Sequence, residues 1–222
     1  MIPLTIISLL FIIGLVLLFR MWSANRIPSK SKRTAAVEEL KADMDAWSAD
    51  LVPLGREELD LMSMAQDKQV VKTGAGTTAK GTFTTIFHEP VVSYSYKRYL
   101  GKKVNELLYA RTADHDYVYW TEDGKTSLEI DGQPVGTLQG DTLLGARSGQ
   151  PIARIDGKKQ DYLPVSVGNR EVGSLTAPSA DADDPLGQRA FGFIPEDLNE
   201  KEEQLLLSLA TRELVKRSIP AE

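Results

Sequence analysis

The chain has 222 residues, no cysteine and two histidines, and its 26 lysines and arginines stand against 31 aspartates and glutamates, a net charge of −5. That composition excludes a disulfide framework, thiolate metal sites and a thiol nucleophile. An acidic balance also lacks the basic footprint of a general nucleic-acid binder. The length suits one domain with appendages or two small domains, and neither a cofactor nor a nucleic-acid partner is expected.

Residues 2–19 carry no charged side chain, and Met21 and Trp22 extend the run past Arg20. A helix needs roughly 20 such residues to cross a bilayer core. A cleaved signal peptide would place cations before the apolar run and small residues after it. Here the cations follow: Arg20, Arg26, Lys30, Lys32 and Arg33, with no acid before Glu38. The order predicts an uncleaved single-pass anchor over residues 1–22. The rule that basic flanks stay inside puts the remainder in the cytoplasm. Beyond residue 33 the remaining 21 cations face all 31 acids, a balance of −10. The basic cluster is read first as a topology signal and second as an attraction to anionic lipid.

Residues 23–68 read as a basic linker followed by a helical segment. Thr34 is a candidate cap, and Val37, Leu40, Met44 and Trp47 fall at helical spacing. A second short helix is expected over Gly55–Ala65, with Leu59, Leu61, Met62 and Met64 as packing residues.

From residue 69 the segments are short, β-branched or aromatic, and punctuated by turn residues. Twelve strands are expected: Gln69–Thr73, Gly81–His88, Val91–Tyr99, Val104–Thr112, Tyr117–Thr121, Ser127–Ile130, Pro134–Gln139, Thr142–Ala146, Ile152–Ile155, Asp161–Val167, Arg170–Thr176 and Gln188–Phe193. Asp123-Gly124, Asp131-Gly132, Asp156-Gly157 and Gly168-Asn169 supply hairpin turns. The spacing predicts a meander closed into a barrel or folded as a sandwich. Ile130-Asp-Gly-Gln-Pro-Val-Gly-Thr-Leu138 parallels Val167-Gly-Asn-Arg-Glu-Val-Gly-Ser-Leu175, which ordinary hairpin chemistry accounts for. Asp181, Asp183 and Asp184 lie in an acidic stretch that lacks the glycine and glutamate of a calcium loop, so it is read as solvated.

The last helix opens at Pro195-Glu-Asp-Leu-Asn199, with Asn199 and Glu202 as a capping box and charges that match the helix dipole. Leu205-Leu-Leu-Ser-Leu-Ala210 is apolar over more than half its circumference, which predicts a buried helix. The expected class is therefore α+β, mainly β: an anchor, a short helical linker, and an antiparallel barrel or sandwich over residues 69–222 with a buried carboxy-terminal helix.

Two segments carry a family resemblance. Tyr162-Leu-Pro-Val-Ser-Val-Gly-Asn-Arg-Glu-Val-Gly-Ser-Leu175 resembles a strand–turn–strand unit. Phe191-Gly-Phe-Ile-Pro-Glu-Asp-Leu-Asn199 with Leu205–Ala210 resembles the passage that leads into a final apolar helix. Both likenesses are to the tubby carboxy-terminal domain superfamily, which includes phospholipid scramblases and LURP-one-related proteins. The resemblance spans about residues 70–218 and implies a barrel threaded by its last helix and an association with lipid. It does not imply calcium binding or scrambling: Gln188, Arg189 and Ala190 stand where scramblases carry acids, and the palmitoylated cysteine cluster is missing.

No nucleophile–base set is recognisable, and His88-Glu89 and Asp114-His115-Asp116 are sequence neighbours that a strand would point apart, so no enzyme is expected. The expected function is a membrane-anchored binding module that contacts anionic phospholipid or a membrane protein, with a ligand-free scaffold as the alternative. Its candidate surface joins Arg20, Arg26, Lys30, Lys32 and Arg33 to Tyr96, Lys97, Arg98, Lys102 and Lys103, on a hairpin that also carries Tyr94 and Tyr99. The competing reading of the second group is the ordinary core-and-surface alternation of a strand.

Overall fold

The computed structural model describes residues 4–74, 76–157, 162–177 and 189–220. The acidic stretch with Asp181, Asp183 and Asp184, and Gln188 at the expected start of the last strand, lie outside these residues. Helix α1 spans Leu4–Ala24. After a single 3-10 turn at Lys30–Lys32 come α2 (Arg33–Met44) and α3 (Arg56–Asp60). Twelve strands follow: β1 Met62–Gly74, β2 Gly76–Thr85, β3 Pro90–Arg98, β4 Asn105–Arg111, β5 Asp116–Glu122, β6 Lys125–Ile130, β7 Gln133–Gln139, β8 Thr142–Gly145, β9 Pro151–Ile155, β10 Tyr162–Val167, β11 Arg170–Thr176 and β12 Phe191–Phe193. Helix α4, Glu200–Ser218, ends the fold.

The strands form one antiparallel sheet in strict chain order. Asp123-Gly124 and Asp131-Gly132 carry positive φ at both residues, the geometry that lets a two-residue turn follow the sheet's twist. The two edges of the sheet meet where Ser63 bridges Arg189 and the Ala190 N–H donates to Met62 O at 2.7 Å. The result is a nearly closed twelve-stranded barrel.

Helix α4 fills it. Residues 205–211 are all buried, whichever way they point. The helix bonds strands far apart around the sheet: Tyr119 Oη of β5 donates to Ser208 O at 2.7 Å, Arg217 Nη1 to Thr176 O of β11 at 2.6 Å, and Gln69 Nε2 of β1 to Ser218 O at 2.9 Å. An element on the outer face could not reach three such strands, so the helix runs through the barrel. Its start is fixed by the expected capping box: Asn199 Oδ1 accepts from Glu202 N at 3.0 Å, and Glu202 Oε2 from Asn199 N at 3.1 Å.

Helix α2 covers the outside of β3–β5. Its Ala36, Leu40 and Met44 pack with Tyr99, Leu107, Tyr109 and Trp120 in a second cluster, separate from the barrel core. Both faces of these strands are therefore buried, and β3 is buried without alternation from Val91 to Tyr96.

Three local expectations change. Thr34 does not cap α2, whose N-cap residue is Lys32 without a side-chain bond. Trp47 lies beyond the end of α2 but still packs against the second cluster. The second short helix stops at Asp60, and β1 begins at Met62, seven residues before its expected start. Met62 and Ser63 are needed to meet Arg189 and Ala190 at the seam, and that pairing overrides the helical spacing of Leu59 and Met62.

Among the described residues no helix is long and apolar enough to cross a membrane. In α1 the unbroken run of described side chains is 16 residues, residues 8–23, against 21 for the helical backbone. All of those side chains except Gly14 are exposed.

Candidate functional site

Strand alternation divides the expected surface. Tyr96 belongs to the barrel core, and its hydroxyl donates to Glu106 Oε1 at 2.7 Å. Arg98 Nε and Nη2 reach the same oxygen at 3.0 and 2.8 Å. Burial and the neighbouring Glu106 carboxylate both raise the Tyr96 phenol above its ordinary value. Tyr96 and Arg98 are thus spent on an internal network.

Arg33 is also engaged in structure. Its guanidinium lies 4.7 Å from the Trp120 ring centroid and pairs with Glu122 at 2.5 Å. Lys97 points the other way from its neighbours on β3, to the outer face, where it meets Glu39 at 3.3 Å and the Tyr99 ring at 5.5 Å.

Lys97 closes one side of a cleft of about 390 Å³ between the chain that leaves α1, the start of α2 and the edge of β3. Arg26 and Lys32 line the other side, with Ser23, Ser29, Tyr99 and Glu39 between them. The cleft holds three cations and one carboxylate. The Arg26 guanidinium lies 4.4 Å from the Trp22 ring centroid. Neither Arg26 nor Lys32 forms an ion pair among the described residues. The Tyr99 hydroxyl is buried and has no hydrogen-bond partner. Burial, and then Glu39, push it up to about 12, so it stays a neutral donor. The chemistry on offer is electrostatic attraction and hydrogen-bond donation to an anion.

Arg20, Lys30 and Lys102 are exposed. Lys103 pairs with Asp123 at 2.9 Å with both side chains more than half exposed, a contact worth little in water. Of the ten expected residues the fold gathers Arg26, Lys32 and Lys97, uses Arg33, Tyr96 and Arg98 structurally, and leaves four on the surface. Sequence reasoning counted Tyr94 and Tyr99 as surface aromatics of this hairpin: Tyr94 is fully buried in the barrel core, and Tyr99 walls a cleft that only the position of α2 reveals. Sequence reasoning also missed Arg212 inside the barrel, where Nη2 donates to Thr126 Oγ1 at 3.2 Å and burial lowers the guanidinium below its ordinary value.

His115 does not pair with its sequence neighbours. Its Nδ1 lies 2.7 Å from Asp131 Oδ2, a link between the β4–β5 and β6–β7 turns. Among the described residues no group of three histidine, aspartate or glutamate side chains could hold a metal ion.

The fold defines a class: an antiparallel meander barrel built around its own carboxy-terminal helix, with a helix strapped to its outside. No family model, no curated protein and no solved structure matches the chain.

Proposed function

We propose that the chain is a single-pass membrane protein whose barrel is held at the cytoplasmic face and works by binding, with the cationic cleft receiving an anionic phospholipid headgroup. The observation that carries this reading is α1 itself: of its described residues 8–23, most of them apolar, all but Gly14 are exposed, and the cleft lies at its end. Its 21-residue backbone is ~31 Å long at 1.5 Å per residue, close to the thickness of a bilayer's hydrocarbon core. Leu10, Phe11, Leu18 and Phe19 are each more than half exposed, an apolar patch far larger than water tolerates. Trp22 and Arg26 at its end suit the interfacial layer. The tubby-like assignment is proposed on the same footing, since a barrel around its last helix is the architecture it implies.

Reconstitution of the full chain in vesicles tests the proposal. A basic residue near an anionic surface contributes about 1 kcal/mol, so Arg26→Ala with Lys32→Ala should lower the preference for phosphatidylglycerol over phosphatidylcholine by ~30-fold. The immobilised fraction of spin-labelled lipid measures that preference, and an unchanged preference would remove lipid from the reading. For topology, a reporter fused after Glu222 should be active only where its chemistry works in the cytoplasm. Recovery of a mature chain without residues 1–22 would remove the anchor.

A further inference from the structure

We infer that the β3–β4 loop, residues 99–104, is a second membrane contact that seats the barrel upright on the bilayer; this rests on the membrane reading of α1. The Leu100 N–H donates to Asn25 O at 2.7 Å, and Arg26 and Leu100 form a parallel β-bridge. Helix α1 ends at Ala24, so the loop is fastened to the first residues beyond it. A bilayer measures about 30 Å across its hydrocarbon core and about 40–45 Å with its headgroups, which leaves ~5–8 Å of headgroup on each side. A segment hydrogen-bonded one residue past a membrane helix lies within that layer.

The side chains suit the position. Leu100, Val104 and Ile27 are 39 %, 54 % and 36 % exposed. Ile27 Cδ1 stands 3.9 Å from where a Cβ on Gly101 would lie, so it belongs to the same patch. Lys102 and Lys103 sit between Leu100 and Val104 and are exposed. Apolar side chains interleaved with lysines match an interface that is oily on one side and anionic on the other. The loop is also pinned: Tyr99 N donates to Asn105 O at 2.9 Å, and Asn105 Nδ2 to Lys103 O at 2.8 Å. A fixed loop presents its apolar side chains without first having to be ordered. Phe87, 66 % exposed in the β2–β3 turn, lies at the opposite end of the barrel, the length of β3 away, and serves as the reference.

Because the chain has no cysteine, single labels can be placed at will. Leu100→Cys, Val104→Cys, Phe87→Cys and Leu10→Cys all fall at exposed positions, so labelling leaves both cores intact. Each full-length variant carries an environment-sensitive fluorophore and is reconstituted in phosphatidylcholine–phosphatidylglycerol vesicles with spin-labelled lipid. The expected result is quenching and a blue shift at residues 10, 100 and 104, with neither at 87. Quenching at 10, with residues 100 and 104 as water-exposed as 87, would overturn the second contact and leave the anchor standing. Absence of quenching at 10 would overturn the anchor and the contact together. Quenching at 87 as well would overturn the upright seating.

Discussion

Replacing Leu206 by alanine is expected to lower the unfolding free energy by about 2–5 kcal/mol, and Leu209→Ala by a similar amount. Leu206 is fully buried and Leu209 is 3 % exposed, both within the barrel core. The Leu206 methyls lie 3.1 and 3.2 Å from where a Cβ on Gly173 would be built, so β11 closes on this leucine with only a glycine between them. Removing three carbons there forfeits their transfer energy and leaves a cavity, because a barrel wall hydrogen-bonded on both sides cannot collapse inward to fill it. The loss is a large share of the roughly 5–15 kcal/mol that holds a typical domain together. Chemical denaturation of the full chain in detergent measures it. Removing residues 200–222 takes away the whole filling, and the shortened chain is expected to lose its cooperative unfolding transition in the same detergent. A fragment ending at Asn199 that still melts cooperatively there would refute the threaded helix.

Much of this architecture was legible. Each expected strand has its counterpart, because the turns were explicit: Asp123-Gly124 and Asp131-Gly132 take the positive φ their residue types allow. Helix α4 was legible in Leu205–Ala210, whose apolar circumference leaves no solvent face. The parallel between Ile130–Leu138 and Val167–Leu175 turns out to have a structural cause. In both, valine is the extra residue of a β-bulge: Leu128 pairs Gly136 while Glu129 pairs Pro134, and Val165 pairs Gly173 while Ser166 pairs Glu171. Bulges bend and twist a sheet, which a closed barrel requires. The glycines that follow answer different neighbours. A Cβ on Gly136 would collide with Leu144 O of β8, whereas one on Gly173 would meet Leu206 of α4 and Phe193 O at 3.1 Å.

What stayed hidden depends on long-range contact. Nothing local in Met62-Ser63-Met64 marks the seam with Arg189, 126 residues later, so the start of β1 reads as helix. The cluster Tyr96–Tyr99 looks like one basic aromatic surface. Period two sends Tyr96 and Arg98 into the barrel and Lys97 and Tyr99 outward. Only the position of α2 then turns Lys97 and Tyr99 into the wall of a cleft.

Asp116→Asn is expected to lower stability by on the order of 2 kcal/mol at neutral pH, and the deficit should vanish in acid. Asp116 Oδ1 accepts from Tyr109 Oη at 2.7 Å and Arg111 Nε at 2.8 Å, while Oδ2 accepts from Lys41 Nζ at 2.9 Å. One carboxylate therefore joins β4, β5 and the outer helix α2. Burial works to raise its pKa, but the hydrogen bonds from Arg111, Lys41 and Tyr109 outweigh it and hold the carboxyl at about 2, against an ordinary 3.8. The side chain is only 25 % exposed, so solvent screening takes little from this effect. Since the folded pKa lies below the unfolded one, the stabilisation is complete above about pH 4 and fades as pH falls towards 2. Asparagine keeps the shape and loses the charge, so the two proteins should converge over that window. Unfolding curves at pH 7 and at pH 2 decide the matter: an equal deficit at both would assign the loss to packing. Lys103→Ala, which breaks the exposed pair with Asp123, should by contrast change stability by less than about 0.5 kcal/mol at either pH. That difference separates a half-buried tie between helix and barrel from a contact that water already screens.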